Sequence, residues 1–196
     1  AFPVFTKLLE VSAPVARSFS LMIQAVGMTM ASLFILTRGI PVSWSVIRWT
    51  LPGGSLGLLV SFYGPTPPDP LPRLIFTMVA LVFGIALAIS HWALGWRPQL
   101  GGDNRVAGAR NHLHLLLVGM LGGYISGLVG SGVDLLGFIA LTLAYGFHER
   151  LAVPTTVVVM AALSVVGAAL FGFSQDATAI SAYPFWLVCV PVVAIG

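Results

Sequence analysis

Long apolar segments separated by short connectors make up almost the whole chain. Segments that approach the roughly 20 residues of a membrane-spanning helix lie at 14–36, 43–63, 74–94, 114–129, 133–147 and 153–173, and another begins at 183. The connector at 64–70 is rich in proline, which excludes it from a helix interior, and 97–110 is the longest polar stretch. The pattern predicts an all-α protein, a polytopic bundle of transmembrane helices.

Composition agrees with this class of protein. With 58% hydrophobic and only 8% charged residues, the chain is too apolar for a water-soluble domain, so the lipid bilayer is an expected partner. The formal net charge is +3, but the basic residues are spread over the connectors, so we expect no nucleic-acid partner. A single cysteine, Cys189, rules out an internal disulfide.

The arginines predict an orientation in the membrane, because basic residues accumulate on the cytoplasmic side. If successive connectors alternate sides, one side receives Arg38, Arg48, Arg97, Arg105, Arg110 and Arg150. We therefore expect the loops at 37–48, 95–112 and 148–152 to be cytoplasmic in a multi-pass membrane protein.

A weak internal repeat divides the chain into two halves. Val15-Ala16-Arg17-Ser18 aligns with Val153-Pro154-Thr155-Thr156, and Leu51-Pro52 aligns with Val190-Pro191 at nearly the same offset. An odd number of segments separates the paired positions, so the repeats would be inverted, as in secondary transporters. This predicts a first repeat half at 1–96, a cytoplasmic connecting loop at 97–112 and a second half at 113–196. The first would lack its opening glycine-broken hairpin and the second would be truncated, as in a fragment of a longer protein.

The second half contains a break in an otherwise apolar segment. It reads Ser126-Gly127-Leu128-Val129-Gly130-Ser131-Gly132, with Asp134 two residues later. Irregular backbone at membrane depth occurs only where it is buried in protein or lines a wet cavity, so this stretch predicts a glycine-broken helix and a site. Two interpretations remain for the glycines: their amides approach an anionic ligand, or their small size lets helices pack closely.

Asp134 is the most informative side chain, because a carboxylate inside the membrane is costly unless it meets a partner, a cavity or a proton path. It is either a proton-coupling group or a cap of the next helix. Further candidates for ligand binding are Thr155 and Thr156, at a predicted helix start with proline in its first turn. Arg17 either binds an anion or extends to the lipid headgroups. Gln24 either lines a polar path or bonds a neighbouring helix.

The sequence contains no nucleophile elbow, phosphate-binding loop or carboxylate pair of the kind that hydrolases use, so we expect no enzyme. His112 and His114 point to different faces of a helix and lack further ligands, so no metal and no cofactor is expected.

The motif at 126–132, followed by Ala152-Val153-Pro154-Thr155-Thr156 and a helix with small residues at Ser164 and Gly167, resembles the sulfite exporter (TauE/SafE-type) family of membrane permeases. The resemblance implies transport of sulfite, organosulfonates or similar small anions, coupled to an ion gradient. It places binding at Ser126, Gly127, Gly130, Gly132, Thr155 and Thr156. Val133 and Asp134 replace the last two glycines of the family pattern, and the added charge would repel an anion unless it is protonated or paired.

Two functions follow from these observations. The first is an ion-coupled permease for a small anion, in which Ser131, Arg17 and Gln24 join the binding residues and Asp134 carries or gates a proton. The alternative is a non-transporting accessory subunit of a larger membrane complex. Either one could form homo-oligomers. A permease should have a polar cavity that reaches Ser131, Asp134 and Thr155, whereas an accessory subunit could have that space filled by side chains.

Overall fold

The computed structural model describes residues 13–65, 71–92, 108–174 and 177–195. These residues form seven α-helices, one of which is extended by a π-helical turn, and contain no β-strand. The helices are α1 (Ala13–Thr37), α2 (Trp44–Tyr63), α3 (Leu71–Trp92), α4 (Ala109–Val129), α5 (Val133–Ile139, continued as a π-helix over Ala140–Ala144), α6 (Glu149–Ser174) and α7 (Ala177–Ile195).

The helices are those of a membrane bundle. Three stretches within the described residues are long and apolar enough to cross a bilayer: Ser18–Thr37, Ala109–Val129 and Glu149–Leu170. Val133–Ala144 is apolar but shorter, as the sequence pattern predicts for a hairpin limb or re-entrant segment. The all-α transmembrane class is therefore confirmed.

Local signals account for where the helices begin and end. Gly39 adopts φ +64°, a left-handed conformation that ends α1. The Ser43 hydroxyl caps α2 by accepting from the Val46 N–H (3.4 Å). Before α6, the His148 side chain accepts from the Arg150 N–H (3.1 Å), so the helix begins at Glu149.

This helix start corrects the sequence-based prediction for α6. The expected first turn at Val153 lies inside the helix, and Pro154 is an internal proline. The expected loop at 148–152 is mostly the first turn of α6, because His148 caps the helix earlier than the proline pattern suggested. The loop predicted at 37–48 likewise ends at Ser43, where α2 begins.

The tightest packing in the bundle is the crossing of α2 and α4. A Cβ atom added to Gly57 would collide with the Met120 carbonyl oxygen, and one added to Gly53 would collide with the Leu116 carbonyl oxygen. On α4, a Cβ atom added to Gly123 would collide with the Gly54 carbonyl oxygen of α2. Backbones can approach this closely only where neither helix carries a side chain, the arrangement that small residues make possible between membrane helices.

The paired positions also fix the helix directions. Gly53 and Gly57 meet Leu116 and Met120 in ascending order, so α2 and α4 run parallel. In contrast, α1 and α6 run antiparallel, because Gly167 faces Leu21 while the Ser32 hydroxyl is 3.5 Å from the Val157 carbonyl. The inverted repeat and its division of the chain remain predictions, and the part of the connecting loop at 97–107 lies outside the described residues.

One end of the bundle carries four exposed arginines. One follows the end of α1 and the others lie near the starts of α2, α4 and α6. In that order they are Arg38, Arg48, Arg110 and Arg150. The helix directions bring these four positions to the same end. This is the charge asymmetry on which the predicted membrane orientation depends.

Candidate functional site

The break after α4 is a re-entrant turn. Gly130 adopts φ +88°, and its N–H bonds the Ser126 carbonyl (2.7 Å), which ends α4. The chain then runs back along α4. An added Cβ on Gly132 would lie 2.6 Å from the Ile125 side chain, and one on Gly122 would lie 2.8 Å from the Val133 Cα. Helix α5 therefore begins about two turns before the end of α4.

The start of α5 lies at mid-depth in the bundle. Val133 is fully buried in a cluster with Ile47 of α2 and with Val159, Met160 and Leu163 of α6. These α6 residues are near the middle of that 26-residue helix. The break therefore lies between packed helices, where an irregular backbone is shielded from lipid.

Ser126 holds the break together. Its hydroxyl accepts a 2.9 Å hydrogen bond from the Val133 N–H, and both residues are buried. The N-cap position of α5 is Gly132, which has no side chain to satisfy that donor. A predicted binding residue thus has a structural partner, because its hydroxyl joins the end of one helix to the start of the next.

Asp134 is half-buried in the first turn of α5 and is not its cap. The Ser131 hydroxyl lies 3.2 and 3.3 Å from its two carboxylate oxygens and donates to them. Within the part of the chain that the structure describes, no cation pairs with this carboxylate. The positive end of the helix favours the charge, but a serine alone does not neutralise it.

Thr155 and Thr156 lie on the buried face of α6. The Thr155 hydroxyl accepts from the Ser43 N–H (3.0 Å) and donates to the Leu151 carbonyl (2.6 Å). The Thr156 hydroxyl donates to the Val153 carbonyl (3.0 Å). Thr155 therefore connects the starts of α2 and α6, while the Thr156 oxygen retains its acceptor capacity.

A small void adjoins these two threonines. Its volume is about 10 Å³, which is room for one water molecule. Helices α2, α4, α5 and α6 contribute its walls, which include Thr50, Val133, Gly137, Thr155 and Thr156. The void thus touches two predicted binding residues, but neither Ser131 nor Asp134 is part of its wall.

The remaining candidates lie elsewhere. Gly127 faces α2, where an added Cβ would be 2.6 Å from the Ser61 hydroxyl oxygen. Gln24 is half-buried on α1, and its side-chain oxygen is buried without a hydrogen-bond partner among the described residues. Arg17 lies in the second turn of α1, and its side chain is outside the described set.

Sequence reasoning assigned no binding role to three buried serines and threonines, Thr50, Ser61 and Ser164. Thr50 and Ser61 are each 3% exposed and Ser164 is fully buried, and none of the three hydroxyls has a partner within the described part of the chain. The sequence signal of Thr50 and Ser61 was only a hydroxyl inside an apolar segment, and Ser164 appeared only as a small residue of the family resemblance. Tyr145, in the connector after α5, donates to the Asn111 carbonyl (3.3 Å), and burial raises the pKa of its phenol.

The geometry combines a polar, glycine-broken segment at mid-depth with membrane-spanning helices, and comparison with known families agrees with it. No curated protein and no solved structure matches the chain. The family model described as sulfite exporter TauE/SafE matches residues 1–196. This chain therefore belongs to the TauE/SafE sulfite exporter family.

Proposed function

We propose that this protein is an ion-coupled permease that moves a small sulfur-containing or organic anion, of the sulfite or organosulfonate type, across a bacterial inner membrane. The family gives the transporter class. The observation that carries the proposal is the start of α5 at mid-depth, where the half-buried Ser131 and Asp134 flank the buried residues Gly132 and Val133. Transporter sites are commonly formed by such interrupted helices near the bilayer midplane.

The polar residues around the break are the proposed substrate contacts. They are Ser126, Gly127, Gly130, Ser131, Gly132, Thr155, Thr156, Arg17 and Gln24. Seven of the nine belong to α4, to α6 or to the turn after α4, and Arg17 and Gln24 belong to α1. No catalytic step is assigned to any of them, since the family consists of exporters. The end of the bundle that carries Arg38, Arg48, Arg110 and Arg150 is the proposed cytoplasmic side.

Asp134 is the proposed proton-coupling group. A monoanion about 4 Å from its charged carboxylate would be repelled by about 4 kcal/mol at an effective dielectric constant of about 20. Protonation removes that repulsion, so binding of a proton and of an anion would favour each other. The Ser131 contact is compatible with both states, because a hydroxyl donates to a carboxylate and accepts from a carboxylic acid.

The test is flux of sulfite and organosulfonates in proteoliposomes, with and without an imposed pH gradient. We expect wild-type flux to follow the gradient and Asp134→Asn to lose the gradient-driven component while still folding. Glu149→Gln is the matched control, because Glu149 is an exposed carboxylate in the first turn of α6. Gradient-driven flux that survives in Asp134→Asn would exclude the proton role.

A second candidate function, a non-transporting accessory subunit, is favoured by one observation. The void beside Thr155 holds only about 10 Å³ and its walls do not include Asp134, so this void does not connect the two groups. A correctly inserted protein that transports no anion, and that copurifies with a larger membrane complex, would favour this candidate over the permease. The flux assay therefore decides between the two.

A further inference from the structure

Thr50 carries a buried hydroxyl that the fold does not use. The residue is 3% exposed, and its oxygen has no hydrogen-bond partner within the described part of the chain. Threonines in helices commonly bond the carbonyl four residues earlier. Thr142 and Thr155 do so, at 2.6 Å in both cases. Thr50 does not, so its hydroxyl retains both its donor and its acceptor capacity.

Packing alone does not explain why this position is a threonine. The backbone of Thr50 belongs to the close crossing of α2 and α4, because an added Cβ on Gly119 would collide with the Thr50 carbonyl oxygen. That contact needs the backbone of residue 50 and not its side chain. A valine has the same shape and would avoid burying an unsatisfied polar atom.

Thr50 is one of the residues that line the void between α2 and α6. Thr155 and Thr156 of α6 line it as well, and Val133 and Gly137 belong to the wall that α5 supplies. A site this small accepts a single oxygen atom with hydrogen-bonding capacity. Of the three threonine hydroxyls, those of Thr155 and Thr156 already donate to carbonyls of α6, which leaves Thr50 as the free donor.

The α5 wall is the part of this site that could change its size. Gly137 carries no side chain, and an added Cβ would be 3.2 Å from the Thr156 methyl group. The π-helical turn at Ala140–Ala144 follows directly, and such turns are frequent at functional sites. Because α5 also bears Asp134, a displacement of α5 would enlarge the void on the side that carries the proposed proton-coupling group.

We propose that Thr50 is a substrate-binding residue whose hydroxyl donates a hydrogen bond to an oxygen of the transported anion. The void beside Thr155 and Thr156 is the closed form of that site, sized for one water. This inference rests on the proposed permease function and adds to it a residue of α2, a helix to which the sequence assigned no site. The ligand class is a small oxyanion held by neutral hydroxyl donors.

The test separates binding from folding with isosteric variants. Thr50→Val keeps the shape and removes the hydroxyl, whereas Thr50→Ser keeps the hydroxyl. We expect Thr50→Val to raise the half-saturating sulfite concentration about 10-fold or more, the usual scale for a hydrogen bond to a charged group, and Thr50→Ser to stay near wild type. Thermal unfolding of Thr50→Val without ligand should occur at the wild-type temperature or above it, because an unsatisfied hydroxyl is removed.

Thr37→Val is the control, because it removes a hydroxyl at the end of α1, outside the proposed site, that already has a carbonyl partner. It should leave the half-saturating concentration unchanged. At the same concentration, sulfite should also raise the unfolding temperature of wild type and Thr50→Ser more than that of Thr50→Val. If wild-type flux is normal and Thr50→Val has the wild-type half-saturating sulfite concentration, the role of Thr50 is overturned and the permease function stands. Absence of both flux and anion-dependent stabilisation in wild type would overturn the permease, and this inference with it.

Discussion

The α2 and α4 crossing predicts opposite outcomes for the same substitution at two glycines. Gly57 lies in the crossing, where an added Cβ would collide with the Met120 carbonyl oxygen and lie 2.8 Å from both the Met120 carbonyl carbon and the Tyr124 nitrogen. Gly84 lies in α3, where an added Cβ would meet nothing within 4 Å. We therefore compare Gly57→Ala with Gly84→Ala.

The magnitude follows from two terms. Replacing a helical glycine by alanine stabilises the helix by up to about 1 kcal/mol, and this term applies at both positions. At Gly57 the methyl group meets backbone, which cannot rotate away, so the overpacking cost is at the upper end of about 1–3 kcal/mol. The net change at Gly57 is a loss of about 2 kcal/mol, and the two variants should differ by about 3 kcal/mol.

The measurement is the free energy of unfolding in mixed micelles with increasing SDS, followed by helical circular dichroism. Gly84→Ala should unfold at the same or a higher SDS fraction than wild type, and Gly57→Ala at a clearly lower one. If Gly57→Ala proved as stable as Gly84→Ala, the two backbones could not be in contact. The arrangement of α2 against α4, and with it the position of Thr50 beside Gly119, would then be wrong.

Two other predictions concern the break and the connector that follows α5. Ser126→Ala should destabilise the protein by about 1–3 kcal/mol in the same SDS titration, because the buried Val133 N–H loses its acceptor; an unchanged free energy would mean that this N–H is satisfied in another way. Burial raises the pKa of Tyr145, so folding favours the neutral phenol. The contribution of this neutral phenol to the free energy of unfolding should be complete below about pH 10 and be lost as the pH rises further. Tyr145→Phe should remove that alkaline dependence, and an equally steep alkaline loss in this variant would contradict the assignment.

The order and type of the helices could be predicted because apolar length is a local property of the sequence. The segment expected at 43–63 is α2, Trp44–Tyr63, and the one expected at 14–36 is α1, Ala13–Thr37. The start of α6 was placed late because Pro154 is a strong helix-start signal, whereas capping by His148 depends on one side-chain rotamer. A composition pattern does not contain that information.

The partner of each helix could not be predicted in the same way. Gly53 and Gly57 lie on the face of α2 that meets α4, and Gly119 and Gly123 lie on the facing side of α4. Their spacing of four residues indicates a small-residue face. Nothing in either spacing specifies which of several helices such a face meets, because that choice depends on contacts far apart in sequence.

Close packing explains one part of the glycine-rich segment and a turn of the chain explains another. Gly123 and Gly127 face α2 and serve close packing, while Gly130 and Gly132 form the turn that returns the chain to mid-depth. In the proposed permease the residues after the turn meet the ligand, and Asp134 is the first charged group among them. Among the described residues its carboxylate has a hydroxyl partner, the side chain of Ser131. The same turn brings α5 against the void lined by Thr50, and this proximity links the proposed proton-coupling group to the proposed anion site through one short helix.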